Sequence, residues 1–397
     1  MIYIALLGFG TVGSGCAEVL TANQAKIEAY LGDTVQLKYI LDLRDFPDSP
    51  FADRIVHDFQ TILADPDIRV VAEMMGGSHP AYDFTKALLM AGKSVVTSNK
   101  EVVSTFGAEL LQTAAEHNAR YLFEASVGGG IPIIRPLIND LAANEILSID
   151  GILNGTTNFI LTKMKNEGAG FAEVLAEAQR LGYAEANPSA DVDGIDAARK
   201  ITILTALASG KLLDPSCVPT TGIRQVTPDD MKIAAKLGYT IKLIAHYSQE
   251  NGKLSVSVAP KFVSHSSPLS SIDDVFNGIL VRGDMLGDSL FYGRGAGKLP
   301  TASAVCADIL DAAAHSAAQS RRLTWSAASS EDLIDDSARA KRLCVILKAD
   351  SPHLHALASE HSVSYKGLEA ILTKEPVTSK DLRAFGDDLL KAYEISD

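Results

Sequence analysis

Three glycines near the start of the chain constrain its fold more than any other feature. They are spaced as G-x-G-x-x-G in the stretch Gly8-Phe9-Gly10-Thr11-Val12-Gly13. The apolar run Ile2–Leu7, rich in strand formers, precedes them, and residues 11–30 follow with apolar positions at helical spacing. In a strand–turn–helix, the first glycine allows a tight turn, the second lets the backbone approach a pyrophosphate, and the third lets helix and strand pack closely. Because a helix N-terminus also attracts anions, the motif predicts dinucleotide binding rather than a merely glycine-rich turn.

Strand and helix patterns alternate over the first 125 residues. Further strands are predicted at Leu37–Leu43, Val70–Met74, Ser94–Thr97 and Arg120–Glu124, with helices over 80–91 and 105–118. Such alternation is typical of a parallel sheet covered by helices on both faces. Residues 1–127 are therefore predicted to form a Rossmann-type nucleotide domain.

The pattern changes at Gly128-Gly129-Gly130-Ile131-Pro132, which is typical of a loop or hinge. Residues 128–300 are predicted to form an α+β domain with a mixed or antiparallel sheet. Its strands are expected at Ile146–Leu153, Leu254–Ala259 and Gly278–Gly283, and its helices at Thr157–Asn166, Phe171–Leu181 and Asp193–Gly210. An Ala-rich helix over 301–318 follows, and 338–397 form a short α/β tail. In that tail the order strand Leu343–Lys348, helix Pro352–His361, strand Leu368–Thr373 and helix Ser379–Tyr393 is predicted.

Charge and cysteine content exclude several classes of function. The net charge of −13 repels nucleic-acid phosphates and anionic lipid, so neither a nucleic acid nor a membrane surface is expected as a partner. No apolar run is long enough to span a bilayer. Cys16, Cys217, Cys306 and Cys344 lie far apart and form no C-x-x-C pair. A reducing, cytoplasmic location is therefore expected.

Two short segments at predicted strand ends carry polar groups. The second strand ends in Leu41-Asp42-Leu43-Arg44, where an acid favours the ribose hydroxyls of NAD and an arginine favours the 2′-phosphate of NADP. A solvated loop charge is the alternative, and we favour NADP. The segment Thr97-Ser98-Asn99-Lys100 follows another strand and reaches the sheet edge where ligands bind, although a lone lysine is often only a surface charge.

The densest polar signal lies between Gly182 and Lys200. Asp196 and Lys200 are four residues apart and share one face of a predicted helix. Ile195, Ala197 and Ala198 leave little room for a wetted face, which argues against an ordinary surface ion pair. A partly buried lysine beside an acid can exchange a proton with a substrate hydroxyl.

Together these segments resemble the homoserine dehydrogenase family, in its monofunctional form. The resemblance rests on the glycine motif, residues 97–100, 124–132, the turn Asn154-Gly155-Thr156-Thr157-Asn158 and residues 182–200, and it covers about residues 1–320 in order. It implies the reversible NAD(P)H-dependent reduction of L-aspartate 4-semialdehyde to L-homoserine. It also implies that residues 128–300 bind substrate and form a homodimer, and that a segment near 301–320 completes the nucleotide domain.

The resemblance assigns roles to individual residues. Lys200 matches the proton donor to the aldehyde oxygen, Lys100 matches a second lysine near cofactor and substrate, and Asp196 matches an acid that helps to hold both. Glu185 matches the residue that binds the substrate's α-amino group, Asp191 matches a nearby polar contact, and Thr156 and Thr157 match pocket residues. The cofactor-binding set is Gly8, Phe9, Gly10, Thr11, Val12, Gly13, Arg44, Thr97, Lys100, Gly182 and Gly295. A structural sodium ion is implied at Glu124, Val127, Gly129 and Ile131, mostly through backbone carbonyls.

The tail departs from the family pattern, and two other functions stay open. Many family members carry an ACT domain of about 80 residues, so this shorter tail resembles a truncated ACT unit, and whether it confers threonine feedback stays open. An acylating aspartate-semialdehyde dehydrogenase would need a nucleophilic cysteine near a histidine, and no cysteine here has that context. A nucleotide-sensing protein without turnover would have no use for the lysines and acids named above.

Overall fold

The computed structural model describes residues 1–319, 322–335 and 339–397, and the chain divides into two compact units. The first comprises Met1–Asn144, Thr202–Pro215 and Gly293–Ala328, and the second comprises Glu145–Ile201, Ser216–Tyr292 and Ser329–Asp397. The predicted segment 301–320 ends at residue 320 and the predicted tail 338–397 begins at residue 338, and both of these residues lie outside the described ones. None of the described helices is both long and apolar enough to cross a bilayer.

The first unit contains a six-stranded parallel sheet. Its strands are β1 (Ile2–Leu7), β2 (Val35–Leu41), β3 (Ile55–Val56), β4 (Ile68–Glu73), β5 (Ser94–Thr97) and β6 (Tyr121–Leu122). Its helices are α1 (Thr11–Ala22), α2 (Gln24–Leu31), α3 (Phe59–Leu63), α4 (Ala81–Met90), α5 (Lys100–Glu116) and α11 (Lys298–Ala314), and the short strands β8 (Lys211–Leu212) and β13 (Ser326–Ala327) pair separately. The order β3-β2-β1-β4-β5-β6 is that of a Rossmann fold, as predicted, and places a crevice between β1 and β4.

Two predicted helices of this unit have different bounds. The helix over 11–30 is interrupted at Asn23, which separates α1 from α2. The helix over 105–118 begins earlier, at Lys100, because the side chain of Asn99 caps it by accepting a hydrogen bond from the backbone N–H of Val102. Lys100 is therefore a helix residue rather than part of a loop.

Packing of α1 against α11 and the sheet fixes the position of the glycine-rich loop. Cys16 and Ala17 of α1 are buried with Ala302, Val305 and Ile309 of α11 in one apolar cluster that also includes β1. A Cβ on Gly15 would lie 2.9 Å from the carbonyl oxygen of Lys298, so only glycine permits this approach. Full burial of each Val or Ile side chain contributes about 1.5–3 kcal/mol, which anchors the start of α1.

The second unit contains a nine-stranded mixed sheet. Its strands before the tail are β7 (Ile146–Ile152), β9 (Tyr239–Glu250), β10 (Lys253–Ser264), β11 (Phe276–Gly283) and β12 (Gly287–Arg294). Its helices are α6 (Gly155–Glu167), α7 (Phe171–Arg180), α8 (Ser189–Val192) and α10 (Pro228–Lys236), together with the first half of α9 (Ile195–Ser209). Strands β9 and β12 were not predicted from the sequence. Strand β10 is twice as long as predicted, because its apolar pattern continues beyond Ala259 to Ser264.

The predicted element order of the tail is wrong. Its elements are β14 (Leu343–Lys348), β15 (Ser359–Tyr365), β16 (Leu368–Thr373), α12 (Ser379–Arg383) and β17 (Leu389–Ser396). Only Pro352–His355 of the first predicted helix is helical, as a 3-10 turn, and the second helix ends at Arg383. All four strands extend the nine-stranded sheet, in the order β12-β11-β7-β9-β10-β17-β14-β16-β15. Likeness to an ACT unit stays a prediction.

Candidate active site

The loop between β1 and α1 leaves an open approach to a helix N-terminus. Gly8 has a φ of +93°, and a Cβ on Gly13 would lie 2.1 Å from the carbonyl oxygen of Gly8, so both positions require glycine. At Gly10 a Cβ would meet no heavy atom within 4 Å, and as the N-cap of α1 this residue has no side chain to occupy the first N–H groups. Thr11 and Val12 open the helix, with Thr11 exposed. The arrangement suits an anionic pyrophosphate.

A groove of about 530 Å³ lies beside this loop at the carboxyl ends of β1, β2 and β4. Its lining comprises Gly8, Gly10, Leu41, Asp42, Leu43, Arg44, His57, Phe59, Met74, Met75, Gly76, Pro80 and Phe84. The rings of Phe59 and Phe84 stack at 4.0 Å between centroids and form an apolar wall. The volume and position match those of ligand sites in open α/β sheets.

Asp42 and Arg44 form a tight pair at one end of the groove. Arg44 donates from Nε to Asp42 Oδ1 at 3.0 Å, and the Phe9 backbone N–H donates to Asp42 Oδ2 at 2.8 Å. The hydrogen bonds from Arg44 lower the pKa of Asp42 to about 2. The ring of Phe9 is buried edge-on against Phe46, so only its backbone can face a ligand.

His57 adds a titratable group at the same end of the groove. Its Nδ1 lies 2.7 Å from the Asp42 carbonyl oxygen, and its Nε2 lies 3.1 Å from Asp45 Oδ1. The hydrogen bond to that backbone carbonyl raises the pKa of His57, which favours the imidazolium.

A buried carboxylate joins the loops that follow β4 and β5. Glu73 accepts hydrogen bonds from the Met75 backbone N–H at 2.7 Å and from Thr97 Oγ1 at 2.6 Å. The Asn99 side chain donates to the Gly77 carbonyl oxygen at 2.8 Å and caps α5, whose first residue is Lys100. Burial raises the pKa of Glu73 to about 7. The Thr97 hydroxyl is thus committed to Glu73.

The glycine-rich segment that follows β6 is held by a second buried acid. Glu124 accepts hydrogen bonds from the backbone N–H groups of Ile133 at 2.7 Å, Ile134 at 2.9 Å and Arg135 at 2.8 Å. Its own backbone N–H donates at 2.8 Å to Asp308, whose pKa burial raises to about 7.

Close backbone contact also fixes Gly129 and Gly295 in the first unit. A Cβ on Gly129 would lie 2.3 Å from the carbonyl oxygen of the buried Gly295. Among the described residues, no hydrogen bond reaches the carbonyl oxygens of Val127, Gly129 or Ile131.

In the second unit, the ammonium of Lys200 is buried and held on two sides. Its Nζ donates to the Leu153 carbonyl oxygen at 2.7 Å and lies 2.8 Å from Asp196 Oδ2. Asn154 donates from Nδ2 to the same Asp196 oxygen at 3.0 Å and to Asp191 Oδ1 at 2.7 Å. An ammonium has three N–H donors, and these two contacts are the ones that Lys200 Nζ makes among the described residues, so one donor can serve a ligand.

The remaining predicted residues of this unit lie at the start of α6 and on the turn after α7. Thr157 is buried and its hydroxyl donates to the Asn154 carbonyl oxygen at 3.0 Å, whereas Thr156 Oγ1 donates to the Tyr183 carbonyl oxygen at 2.7 Å. Glu185 is exposed two residues further on. Gly182 has a φ of +77° and its N–H bonds back to α7, which ends the helix and directs the chain towards Glu185.

Comparison with known proteins decides the family. Residues 8–124 match the homoserine dehydrogenase NAD-binding domain and residues 132–310 match the homoserine dehydrogenase domain. A homoserine dehydrogenase from Synechocystis is 45% identical over 317 residues, which span 78% of this chain and 73% of that one. The chain belongs to the homoserine dehydrogenase family. It is an oxidoreductase with a nicotinamide-cofactor domain.

Solved structures of homoserine dehydrogenases have the same fold. The enzyme from Thiobacillus denitrificans superposes with a TM-score of 0.90 at 33% identity, covering 100% of this chain and 98% of that one. A hyperthermophilic archaeal homoserine dehydrogenase in complex with NADPH has a TM-score of 0.69 at 30% identity, covering 81% of this chain and 99% of that one.

The sequence analysis did not single out His57 or Arg224, and it did not assign a role to the Asn154 side chain. His57 follows β3, a two-residue strand that is too short to be predicted from the sequence. Its position in the same groove as Arg44 therefore could not be predicted either. Arg224 clamps Asp193 through Nε and a terminal nitrogen, at 2.5 and 3.0 Å. Asn154 belongs to a recognised motif, but only the structure shows its amide between two acids. The asparagine before a helical Gly-Thr-Thr was a capping signal that could have drawn attention to it.

Proposed function

We propose that this chain interconverts L-aspartate 4-semialdehyde and L-homoserine, with Lys200 as the proton donor to the aldehyde oxygen. The observation that carries the proposal is the buried Lys200 ammonium, held by Leu153 and Asp196 with one N–H direction left over. A bound nicotinamide supplies or accepts the hydride. Proton donation leaves Lys200 as a neutral amine, and in the reverse direction this amine takes the proton from the substrate hydroxyl and becomes the ammonium again while Asp196 keeps Nζ in place.

The same proposal assigns the other polar groups. Glu185, exposed on the turn after α7, binds the substrate's α-amino group, and Asp191 adds a polar contact. Thr156 and Thr157 shape the pocket by fixing the Tyr183 and Asn154 backbones. Lys100, at the start of α5, contacts cofactor and substrate. Gly182 and Gly295 complete the cofactor-binding set with the glycine-rich loop.

NADP is the proposed preferred cofactor. The Asp42 carboxylate already binds Phe9 and Arg44, which makes it a poor acceptor for an adenosine ribose hydroxyl. Arg44 instead offers positive charge at the mouth of the groove, and His57 does so when it is protonated, so the 2′-phosphate of NADP gains charge-assisted hydrogen bonds there. NAD lacks this phosphate and gains nothing from either cation.

A structural sodium ion is proposed at the segment after β6. The Glu124 carboxylate is filled by three N–H donors, so Glu124 would contribute its carbonyl oxygen, together with those of Val127, Gly129 and Ile131. Carbonyl oxygens without donors suit a hard cation. If sodium binds the folded state, Tm rises with NaCl but not with choline chloride at equal ionic strength.

A cytoplasmic homodimer is also proposed. Strand β12 is an edge of the nine-stranded sheet and, with the turn before it, exposes Met285, Leu286 and Leu290. Exposed apolar groups at the edge of a sheet favour association with a second copy. Light scattering should then give twice the chain mass of 42.2 kDa. The four cysteines are free thiols, as a reducing compartment keeps them.

One assay separates this function from its two alternatives. Purified protein is mixed with L-homoserine and either NADP or NAD, and absorbance of the reduced nicotinamide is followed. Absence of signal with both cofactors would support a sensor without turnover. Reduction of NADP by aspartate semialdehyde and phosphate would instead support an acylating enzyme. Three of the four cysteines argue against that chemistry, because Cys16 and Cys306 are buried against each other and burial raises the pKa of Cys344 to about 12.

A further inference from the structure

Both polar atoms of the Asn154 side chain are hydrogen-bonded beside Lys200, Asp191 and Asp196, which we call the lysine–acid cluster. Its Oδ1 caps α6 by accepting from the Thr157 backbone N–H at 2.9 Å. Its Nδ2 donates to Asp191 and to Asp196, one bond to each carboxylate, and the residue is 6% exposed. Both amide hydrogens are therefore satisfied by two different acids.

The two acids need such a donor between them. Two carboxylates that approach the same nitrogen repel each other, and in a buried site this repulsion is weakly screened. A neutral amide gives each of them a charge-assisted hydrogen bond without adding a charge of its own. Asp196 accepts this bond on Oδ2, the oxygen that also contacts Lys200 Nζ. Orientation of Asp196 by Asn154 therefore orients the ammonium.

The neighbouring residue holds the ammonium directly. Lys200 Nζ donates to the Leu153 carbonyl oxygen, at the end of β7 and next to Asn154. The dipeptide Leu153-Asn154 thus supports Lys200 through one backbone oxygen and, by way of Asp196, through one side-chain amide. Its position between a sheet strand and the capped start of α6 makes that support rigid.

We propose that Asn154 is a positioning residue, which holds Asp191 and Asp196 at a fixed spacing and aims Lys200 at the substrate oxygen. The proposal rests on the proton-donor role of Lys200 and goes beyond it, because Asn154 contacts no reacting atom. Serine or aspartate at position 154 could not hold both acids in this way. Serine caps a helix but has no amide N–H, and aspartate caps it but brings a third negative charge.

These differences define the experiment. Asn154→Ser keeps a helix cap and loses both bonds to the acids, whereas Asn154→Asp keeps the cap and nearly the same shape. Thr227→Ala is the matched control, because it removes the cap of α10 without touching the cluster. For each variant one measures Tm, NADPH affinity by fluorescence, and kcat/KM for homoserine across pH.

We expect Asn154→Ser to bind NADPH like the parent protein and to lose about 100-fold in kcat/KM, the scale of a 1 Å misplacement in an active site. Asn154→Asp places three carboxylates together, so one of them retains a proton more readily. Its activity relative to the parent should therefore rise as pH falls, whereas Thr227→Ala should keep the parent pH profile despite a lower Tm.

Two results would overturn the inference. One is kcat/KM of Asn154→Ser within about twofold of the parent, well under the 100-fold expected from misplacement. The other is a pH profile of Asn154→Asp that matches those of the parent and Thr227→Ala. Either result requires an active parent protein, so it is distinguishable from failure of the proposed function, in which the parent itself does not oxidise homoserine.

Discussion

The guanidinium of Arg44 lies across the carboxylate of Asp42, with Nε 3.0 Å from Oδ1 and one terminal nitrogen 3.1 Å from Oδ2. An acid at this position usually favours NAD, and an arginine nearby usually favours NADP. In this pair the arginine covers the acid. The cation is the more exposed of the two. A ligand that enters the groove therefore meets positive charge first.

Removal of this cation should change cofactor preference. Arg44→Ala is expected to raise KM for NADP by about 10-fold, the scale of one solvent-exposed charge-assisted hydrogen bond. KM for NAD should not rise, because NAD has no 2′-phosphate to lose a partner and the freed Asp42 carboxylate can accept from its ribose hydroxyl. Steady-state kinetics with both cofactors check this, and an equal change for NADP and NAD would remove Arg44 from the phosphate site.

The charge of His57 should make NADPH affinity depend on pH. The hydrogen bond to the Asp42 carbonyl raises the His57 pKa, so the imidazolium persists to higher pH and is lost as pH rises through that raised pKa. NADPH should therefore bind more weakly at alkaline pH, while NADH should not. Fluorescence titrations with His57→Asn as the control test this. A pH dependence that survives in His57→Asn would assign it to another group.

Glu185 should act on substrate binding rather than on the chemical step. Glu185→Gln removes the charge that pairs with the substrate's ammonium and is expected to raise KM for homoserine by about 10-fold with little change in kcat. Glu167→Gln, which alters an exposed acid on α6, is the control. An unchanged KM would place the amino-group contact elsewhere.

Burial of Glu73 should make stability fall as pH rises. Its pKa is about 4.5 in the unfolded chain and about 7 in the folded protein, so the folded state binds the extra proton between these values. The carboxyl therefore destabilises the fold increasingly from about pH 4.5 to 7, by about 3 kcal/mol in total, and by a constant amount above. Glu73→Gln should gain Tm relative to the parent across this window. Glu18→Gln, which alters an exposed acid, should not raise Tm in this pH window. An equal pH dependence of Tm in both variants would contradict the raised pKa of Glu73.

The parallel sheet could be predicted because its signals are local. The glycine spacing, the apolar run Ile2–Leu7 and the helical pattern after Gly13 all lie within one strand–turn–helix. The tail could have been predicted better: Lys366 and Gly367 have φ values of 51° and 78° and form the two-residue turn of the hairpin β15–β16. The sequence signal for this hairpin is the glycine between two strand-forming runs.

The site networks could not be predicted because they join distant residues. Glu73 and Thr97 are 24 positions apart, and Asn154 lies 37 and 42 positions from its two acids. Each bond depends on how strand ends and helix starts meet in the fold. Composition and periodicity show which side chains are polar, but not which ones share a buried hydrogen bond.

The most direct test of the account is homoserine oxidation by Lys200→Ala, with NADPH affinity measured on the same sample. The control is Lys163→Ala, which removes a lysine from α6 that forms ion pairs with the glutamates Glu167 and Glu177. We expect Lys200→Ala to bind NADPH normally and to lose nearly all turnover, while Lys163→Ala retains the parent rate. Turnover close to the parent rate in Lys200→Ala would contradict the central claim that this lysine carries the proton.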